Sequence, residues 1–334
     1  MKVIAVPRLQ ADDVKDRLNR MRRMDLNWRP GTEGGMVLLP LKGENPFPQY
    51  PVVEAELEPQ DRHRPPQERI AEIVDMPEEL KALLPEKYER LGHVLVIRLP
   101  KELMPYRRSI AEAYAQVLRA GAVLLEKGII HGTERLPDVE LLFGEETETT
   151  HLESGIRYRL DPAKVMFSSG NFDEKRRMAS LDCRGETVVD MFAGIGYFTM
   201  PLAVKARARK VIACEINPVS VGYLKENAEL NGVTDVVEVF HGDNRDLPGE
   251  GFADRVVMGY VNITWQFLPK AFSLVRSGGI IHYQDTCSID RIPDGLIDNI
   301  RKGSGGRPFE VLGVKEVKAY APSISHMVVD VRVL

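Results

Sequence analysis

Cysteine is scarce in this 334-residue chain: Cys183, Cys214 and Cys287 are odd in number and far apart. Such a set excludes a disulfide framework, and with no C-x-x-C or His/Cys ligand spacing no metal site is expected. Long hydrophobic runs are missing as well. None approaches the ~18 residues needed to span a bilayer, so no membrane association is expected. Residues 1–7 hold only a short apolar stretch before Arg8, which argues against a secretory signal. A 43% hydrophobic and 28% charged composition is that of an ordinary globular protein. A reducing, cytoplasmic setting is the natural expectation.

Neither sign of charge dominates. The net charge of -4 does not by itself mark a nucleic-acid binder, but its distribution is uneven. Lys2, Arg8, Lys15, Arg17, Arg20, Arg22, Arg23 and Arg29 face four aspartates within the first thirty residues, a local excess of +4. Such a patch can attract phosphates, although most charge runs are solvated helix faces.

The length allows two or three domains at roughly 100–200 residues each. Residues 1–42 read as a small unit, with strands over 3–6 and 36–39 and a helix over 11–24. Residues 43–90 form a proline-rich region, and the prolines between 43 and 70 suit an extended linker. A middle α+β domain is expected over 91–165, with a strand at 94–99, a helix at 107–125 and strands at 139–143, 147–151 and 156–160. Over 166–334 the pattern becomes a regular β/α alternation, the mark of an α/β domain with a mostly parallel sheet. Its strands are predicted at 187–192, 210–215, 236–240, 255–260 and 280–284. Asn217, Pro218 and Gly232 punctuate one helix as N-cap, first helical residue and stop. Two β-rich runs, 309–319 and 327–334, lack a helix between them and predict an antiparallel C-terminal hairpin.

The stretch Asp190-Met191-Phe192-Ala193-Gly194-Ile195-Gly196 ends the first of these strands. Glycines there admit a ligand to the backbone and allow a tight turn. Glu215 ends the second strand, where a carboxylate can accept both ribose hydroxyls of a nucleoside. Asp243-Asn244 follow the third, placed to read an adenine edge. Bare loop glycines would leave that ordering unexplained. A dinucleotide fingerprint wants a third glycine at position 199, which holds threonine, so a nicotinamide oxidoreductase is the weaker reading. The Asp-x-Phe-x-Gly-x-Gly form looks like class I S-adenosylmethionine-dependent transferases.

Further stretches make the likeness specific: 147–151 with Glu153-Ser154-Gly155, Phe167-Ser168, 190–203, 214–231, 317–322 and 326–330. Together they resemble the archaeal and eukaryotic tRNA guanine-37 N1-methyltransferases and their wybutosine-pathway relatives. The resemblance implies a class I methyltransferase-like Rossmann domain preceded by smaller α+β RNA-binding domains, with 1–42 as a tRNA-contacting domain. It places S-adenosylmethionine against Ser168, Lys175, Glu215, Asp243 and Asn244, alongside Asp190 and Gly194 of the glycine motif. At 175 the family usually has arginine; lysine keeps the charge and loses the bidentate fork.

Two departures select a branch. The methyltransferases carry Ser-Pro-Arg-Leu where this chain has Ser168-Ser169-Gly170-Asn171, and Asn-Leu-Pro where it has Gly259-Tyr260-Val261. Both losses remove polar groups that N1-methylation needs to deprotonate N1 and hold O6. Both replacements resemble the aminocarboxypropyltransferase branch. That branch moves the 3-amino-3-carboxypropyl group of S-adenosylmethionine to C7 of 4-demethylwyosine at position 37 of tRNA-Phe, and releases 5′-methylthioadenosine. The sequence names no base for the C7 proton; His241 and Tyr260 fall near the expected cleft but are as readily structural or stacking residues. Phe172, Tyr260 and Trp265 are candidates to stack an anticodon-loop base, each equally able to be core. Arg17–Arg23, Arg107-Arg108 and Lys175-Arg176-Arg177 could supply contacts to the RNA backbone. A monomer is expected. The alternatives are a guanine-37 N1-methyltransferase and a cofactor-bound RNA-binding protein without turnover.

Overall fold

Apolar residues fill 188–189 and 211–214 without a break, as expected of parallel strands covered on both faces. The computed structural model, which describes residues 1–59, 65–128, 136–167 and 169–334, places both runs inside a seven-stranded sheet. Alternation divides them between two cores. Val188, Val211 and Ala213 pack on one face, while Val189, Ile212 and Cys214 pack on the other.

Five strands of this sheet are parallel neighbours: Val237–His241, Lys210–Glu215, Thr187–Asp190, Ala253–Met258 and Val275–Ser288. The chain starts at Thr187–Asp190, fills one side, then returns to fill the other. The order therefore reverses between Thr187–Asp190 and Ala253–Met258, and a ligand crevice opens at the carboxyl ends of strands at such a switch point. Ile324–Val333 and Phe309–Ala321 then add antiparallel strands at one edge. The expected hairpin is there, and its strands run closer to the turn than the sequence suggests, to Ala321 on one side and from Ile324 on the other.

The helix Pro218–Leu230 has the punctuation read in the sequence. The Asn217 side chain accepts the N–H groups of Val219 at 2.8 Å and Ser220 at 3.4 Å, and Pro218 opens the helix. Gly232 follows the end with φ +67, a conformation that costs other residues strain.

Upstream lies a four-stranded sheet in the order Tyr88–Leu91, Val94–Ile97, Ala122–Glu126, Val139–Phe143, followed by the hairpin Thr149–Glu153 and Ile156–Leu160. Here the sequence reading needs correction. The helix predicted to reach 125 ends at Leu118, where Arg119 turns left-handed with φ 53, and Ala122–Glu126 is a strand parallel to Val94–Ile97. A short apolar run such as AVLLE carries no periodicity that distinguishes strand from helix.

The chain divides into two units, Met1–Ile73 and Val74–Leu334. In the first, Lys2–Pro7 is flanked by Met36–Pro40 and by Val52–Glu54, with the helix Ala11–Arg20 burying Val14 and Leu18. Val52–Glu54 lies in the stretch expected to be linker. It completes the small sheet instead, and Pro66–Ile73 is a helix. Among the described residues, no helix is long and apolar enough to cross a membrane. No group of His, Cys, Asp or Glu among them is arranged to hold a metal ion.

Candidate functional site

A cavity of about 720 Å³ opens at the switch point of the large sheet. One wall is the loop after Asp190. Gly194 has φ +56, and a Cβ on it would lie 2.4 Å from the Tyr197 ring, so only glycine leaves that backbone uncovered. Its N–H donates to Glu215 Oε2 at 2.7 Å, and the N–H of Asn217 donates to Oε1 at 2.8 Å. A carboxylate has about four lone-pair sites, so both oxygens can still accept from a ligand. Burial pushes the Glu215 pKa up, against these backbone hydrogen bonds, which favour its charged form.

Asp243 and Asn244 stand beside it at the cavity wall. Asp243 is forked by the Arg245 guanidinium, with Nε 2.9 Å from Oδ1, and that partner holds its pKa below the usual carboxylate range. The Asn244 amide donates to the Met191 carbonyl at 2.8 Å. That bond fixes the amide's orientation and leaves Oδ1 buried with no hydrogen-bond partner among the described residues. A buried acceptor without a donor is costly, and an exocyclic amine in the cavity would satisfy it. The open glycine loop, the doubly anchored carboxylate and this orphaned acceptor fit a purine nucleoside.

Two expected contacts fall elsewhere. Asp190 is wholly buried and does not line the cavity; it accepts Thr199 Oγ1 at 2.7 Å and the Phe192 N–H at 3.3 Å, bracing the loop from below. Desolvation pushes its carboxyl up to about 6. Lys175 does not line the cavity either. Its ammonium lies 2.5 Å from Glu153 Oε2 and 4.6 Å from the centre of the Phe167 ring. A buried cation needs such a partner. Ser168 lies outside the described residues.

Aromatic rings line the remaining space. Tyr260 stacks on Phe192, centroids 5.0 Å apart and planes 20° from parallel. Phe172, Trp265 and His241 are exposed and are not among the residues that line the cavity. Among the lining residues without a role in the sequence reading are Glu89, Lys318 and His326. Glu89, from Tyr88–Leu91, has its pKa raised by burial, and Lys318 and His326 come from the C-terminal hairpin. The last two sit within stretches that carry the family resemblance. Glu89 had no signal, because its strand lies in the proline-rich region.

Residues 149–312 match the TRM5/TYW2 methyltransferase domain, and residues 65–147 match the TYW2 N-terminal domain. The tRNA(Phe) (4-demethylwyosine(37)-C(7)) aminocarboxypropyltransferase of Pyrococcus horikoshii is 47% identical over 79% of this chain and 96% of its own length. This chain belongs to the TRM5/TYW2 family. Within the family, the tRNA (guanine(37)-N(1))-methyltransferase Trm5b of Pyrococcus abyssi is 37% identical, over 99% of this chain and 98% of its own. The crystal structure of P. horikoshii TYW2 in complex with MeSAdo has a TM-score of 0.73 and 44% identity, covering 80% of this chain and 99% of that one.

The two sequence departures that divide this family both lie at the cavity. Gly170 lies in the turn Ser169–Asn171, and Gly259 follows the strand Ala253–Met258. A Cβ at 259 would stand 2.4 Å from Phe198 Cε2, so the buried Phe198 ring fills the space where a side chain would begin.

Proposed function

We propose that this chain transfers the 3-amino-3-carboxypropyl group of S-adenosylmethionine to C7 of 4-demethylwyosine at position 37 of tRNA-Phe and releases 5′-methylthioadenosine. The observation that carries the choice over N1-methylation is the Phe198 ring packed against Gly259. It leaves no room for an amide aimed at guanine O6 from that position. The 47% identity to the P. horikoshii aminocarboxypropyltransferase supports the same reading.

S-adenosylmethionine is the group donor, supplying a sulfonium that leaves readily once a carbon beside it is attacked. The protein's task is therefore selection among three carbons, which is a matter of position: the reacting atoms must meet at ~3–3.5 Å and in line. Glu215 holds the ribose, Gly194 admits it to the backbone, and Asp243 with Asn244 reads the adenine. Asp190 braces the loop that carries Gly194. On this reading Ser168 contributes from the segment beside Phe167, and Lys175 acts through Glu153 rather than on the donor. The Tyr260–Phe192 stack offers a platform for a flipped tricyclic base, since anticodon-loop bases are read by aromatic stacking. The protein acts as a monomer in the cytoplasm and engages the anticodon loop of its tRNA.

Two labels test this reading. With S-adenosylmethionine labelled separately in its methyl and in its methionyl carboxyl group, only the carboxyl label enters tRNA that carries 4-demethylwyosine. Methyl label on unmodified guanosine-37 would replace this reading with N1-methylation.

A further inference from the structure

One face of the four-stranded sheet forms a wall of the cavity. Side chains alternate between the two faces of a strand, and Glu89, Leu91, Val96, Arg98, Glu126 and Val139 all belong to the face that lines it. Glu89 lies directly across from Val96 in the antiparallel pair and two residues before Leu91. An acid thus stands between two apolar side chains on this wall. The contacts assigned to the nucleoside of the donor come from elsewhere: Gly194, Glu215, Asp243 and Asn244 follow or end strands of the seven-stranded sheet. The wall from the smaller sheet is left to the second substrate.

The Glu89 carboxylate has the character of a proton acceptor. Its Oε1 is shielded from water and has no hydrogen-bond partner among the described residues. Burial raises its pKa, and the charge of Glu126 pushes the same way. A hydrogen bond from the Ser169 hydroxyl and the charges of Lys175 and Arg98 oppose that rise and favour the ionised form. The Ser169 contact also gives its place. Ser169 adjoins Gly170, one of the two positions at the cavity where this chain departs from the N1-methyltransferases. The two branches share a donor and differ in the acceptor base, so the positions that differ mark the acceptor's side.

Resting on the transfer to C7 proposed above, we infer that Glu89 is the base that takes the C7 proton. C7 attacks the γ-carbon of the donor, and the bond from that carbon to sulfur breaks with its electron pair going to sulfur. Neutral 5′-methylthioadenosine results, and the acceptor ring is left cationic. The electron pair of the C7–H bond then restores the ring, while the proton passes to a Glu89 oxygen and from there to water. A positioned base of this kind contributes typically ~10²–10⁴-fold to rate.

Glu89→Gln tests this, since it keeps the size of the side chain, relieves a buried charge and removes the basicity. Single-turnover transfer of the carboxyl label to tRNA carrying 4-demethylwyosine should slow by about 10²–10⁴-fold. Affinities for S-adenosylmethionine, by calorimetry, and for tRNA, by filter binding, should stay within about threefold of the parent's, as for a group that acts only in the chemical step. Deuterium at C7 gives the second readout. Loss of the proton becomes the slow step without its base, so the isotope effect should be larger in the variant than in the parent. A rate equal to the parent's would overturn the assignment. So would a slower rate with no larger isotope effect, or a loss of affinity as large as the loss of rate, either of which would make Glu89 a binding or structural group. If the parent itself transferred methyl label, or no label, the transfer reading would fail first and this inference with it.

Discussion

The Glu215 carboxylate accepts the backbone N–H of Gly194 at 2.7 Å, joining the end of one central strand to the loop that leaves its neighbour. The same oxygens face the cavity, so the group that shapes the loop is also the one placed to hold a ligand. Replacing Glu215 by alanine should therefore weaken S-adenosylmethionine binding by about 1.5–3 kcal/mol, through lost hydrogen bonds to a charged acceptor. Calorimetry on the folded variant checks it. Unchanged affinity would take Glu215 out of the ribose site.

Beneath that loop, Asp190 gives a pH signature. Its carboxyl is raised from 3.8 to about 6 in the folded protein, so the folded state prefers the neutral form. The stability tied to that proton is fully present below about pH 3.8 and is lost as pH rises through 6. An asparagine in its place would keep hydrogen bonds to Phe192 and Thr199 without the buried charge. Relative to the parent, Asp190→Asn should gain on the order of 1–3 kcal/mol between pH 4 and pH 8. Denaturant midpoints at the two pH values measure it; an equal difference at both would mean an ordinary aspartate.

Gly259→Ala tests the packing behind the choice of chemistry. The new methyl would meet Phe198 at 2.4 and 2.7 Å, and that ring is only 3% exposed. Overpacking of this kind costs typically ~1–3 kcal/mol, and here it should also turn the ring into the cavity. Chemical denaturation reads the cost. A variant as stable as the parent would show that the ring has room to move.

How far this was legible in the sequence depends on the range of each signal. The sheet of the larger unit shows in unbroken apolar strands, and the glycine loop in its motif, because both are local patterns. Residues 122–125 read as the end of a helix because AVLLE has no period of its own. Val52–Glu54 was hidden among prolines, its strand identity coming only from pairing with Lys2–Ile4. The far wall of the cavity was the least visible. Glu89 and Lys318 lie 229 positions apart in the sequence, and only the fold brings them to one cavity. Lys175 shows the opposite case: its position is legible as part of a motif, while its partner Glu153 lies in another hairpin and only the fold brings the two together.

The N-terminal unit bears on RNA affinity. Because Val52–Glu54 completes its sheet, a deletion ending at residue 42 would strip Lys2–Pro7 and Met36–Pro40 from a strand left behind. Removing 1–73 takes out the whole unit, including Arg8, Arg17, Arg20, Arg22, Arg23 and Arg29. The shortened protein should bind tRNA more weakly, with a shallower dependence on salt, and S-adenosylmethionine as before. Filter binding across a salt series decides it. Equal affinity and equal slope would make those arginines a solvated face.

The edge strand Phe309–Ala321 has one further consequence. Thirteen residues of open sheet edge are long enough to recruit a strand from another molecule, the usual start of aggregation. Here three register shifts interrupt the ladder, and Glu310, Lys315, Glu316 and Lys318 stud it with charge. An incoming chain would meet a bent, ionised template and find few consecutive partners. The irregularity beside Lys318 thus guards against fibril growth, and a variant that straightened it would trade colloidal stability for a smoother sheet.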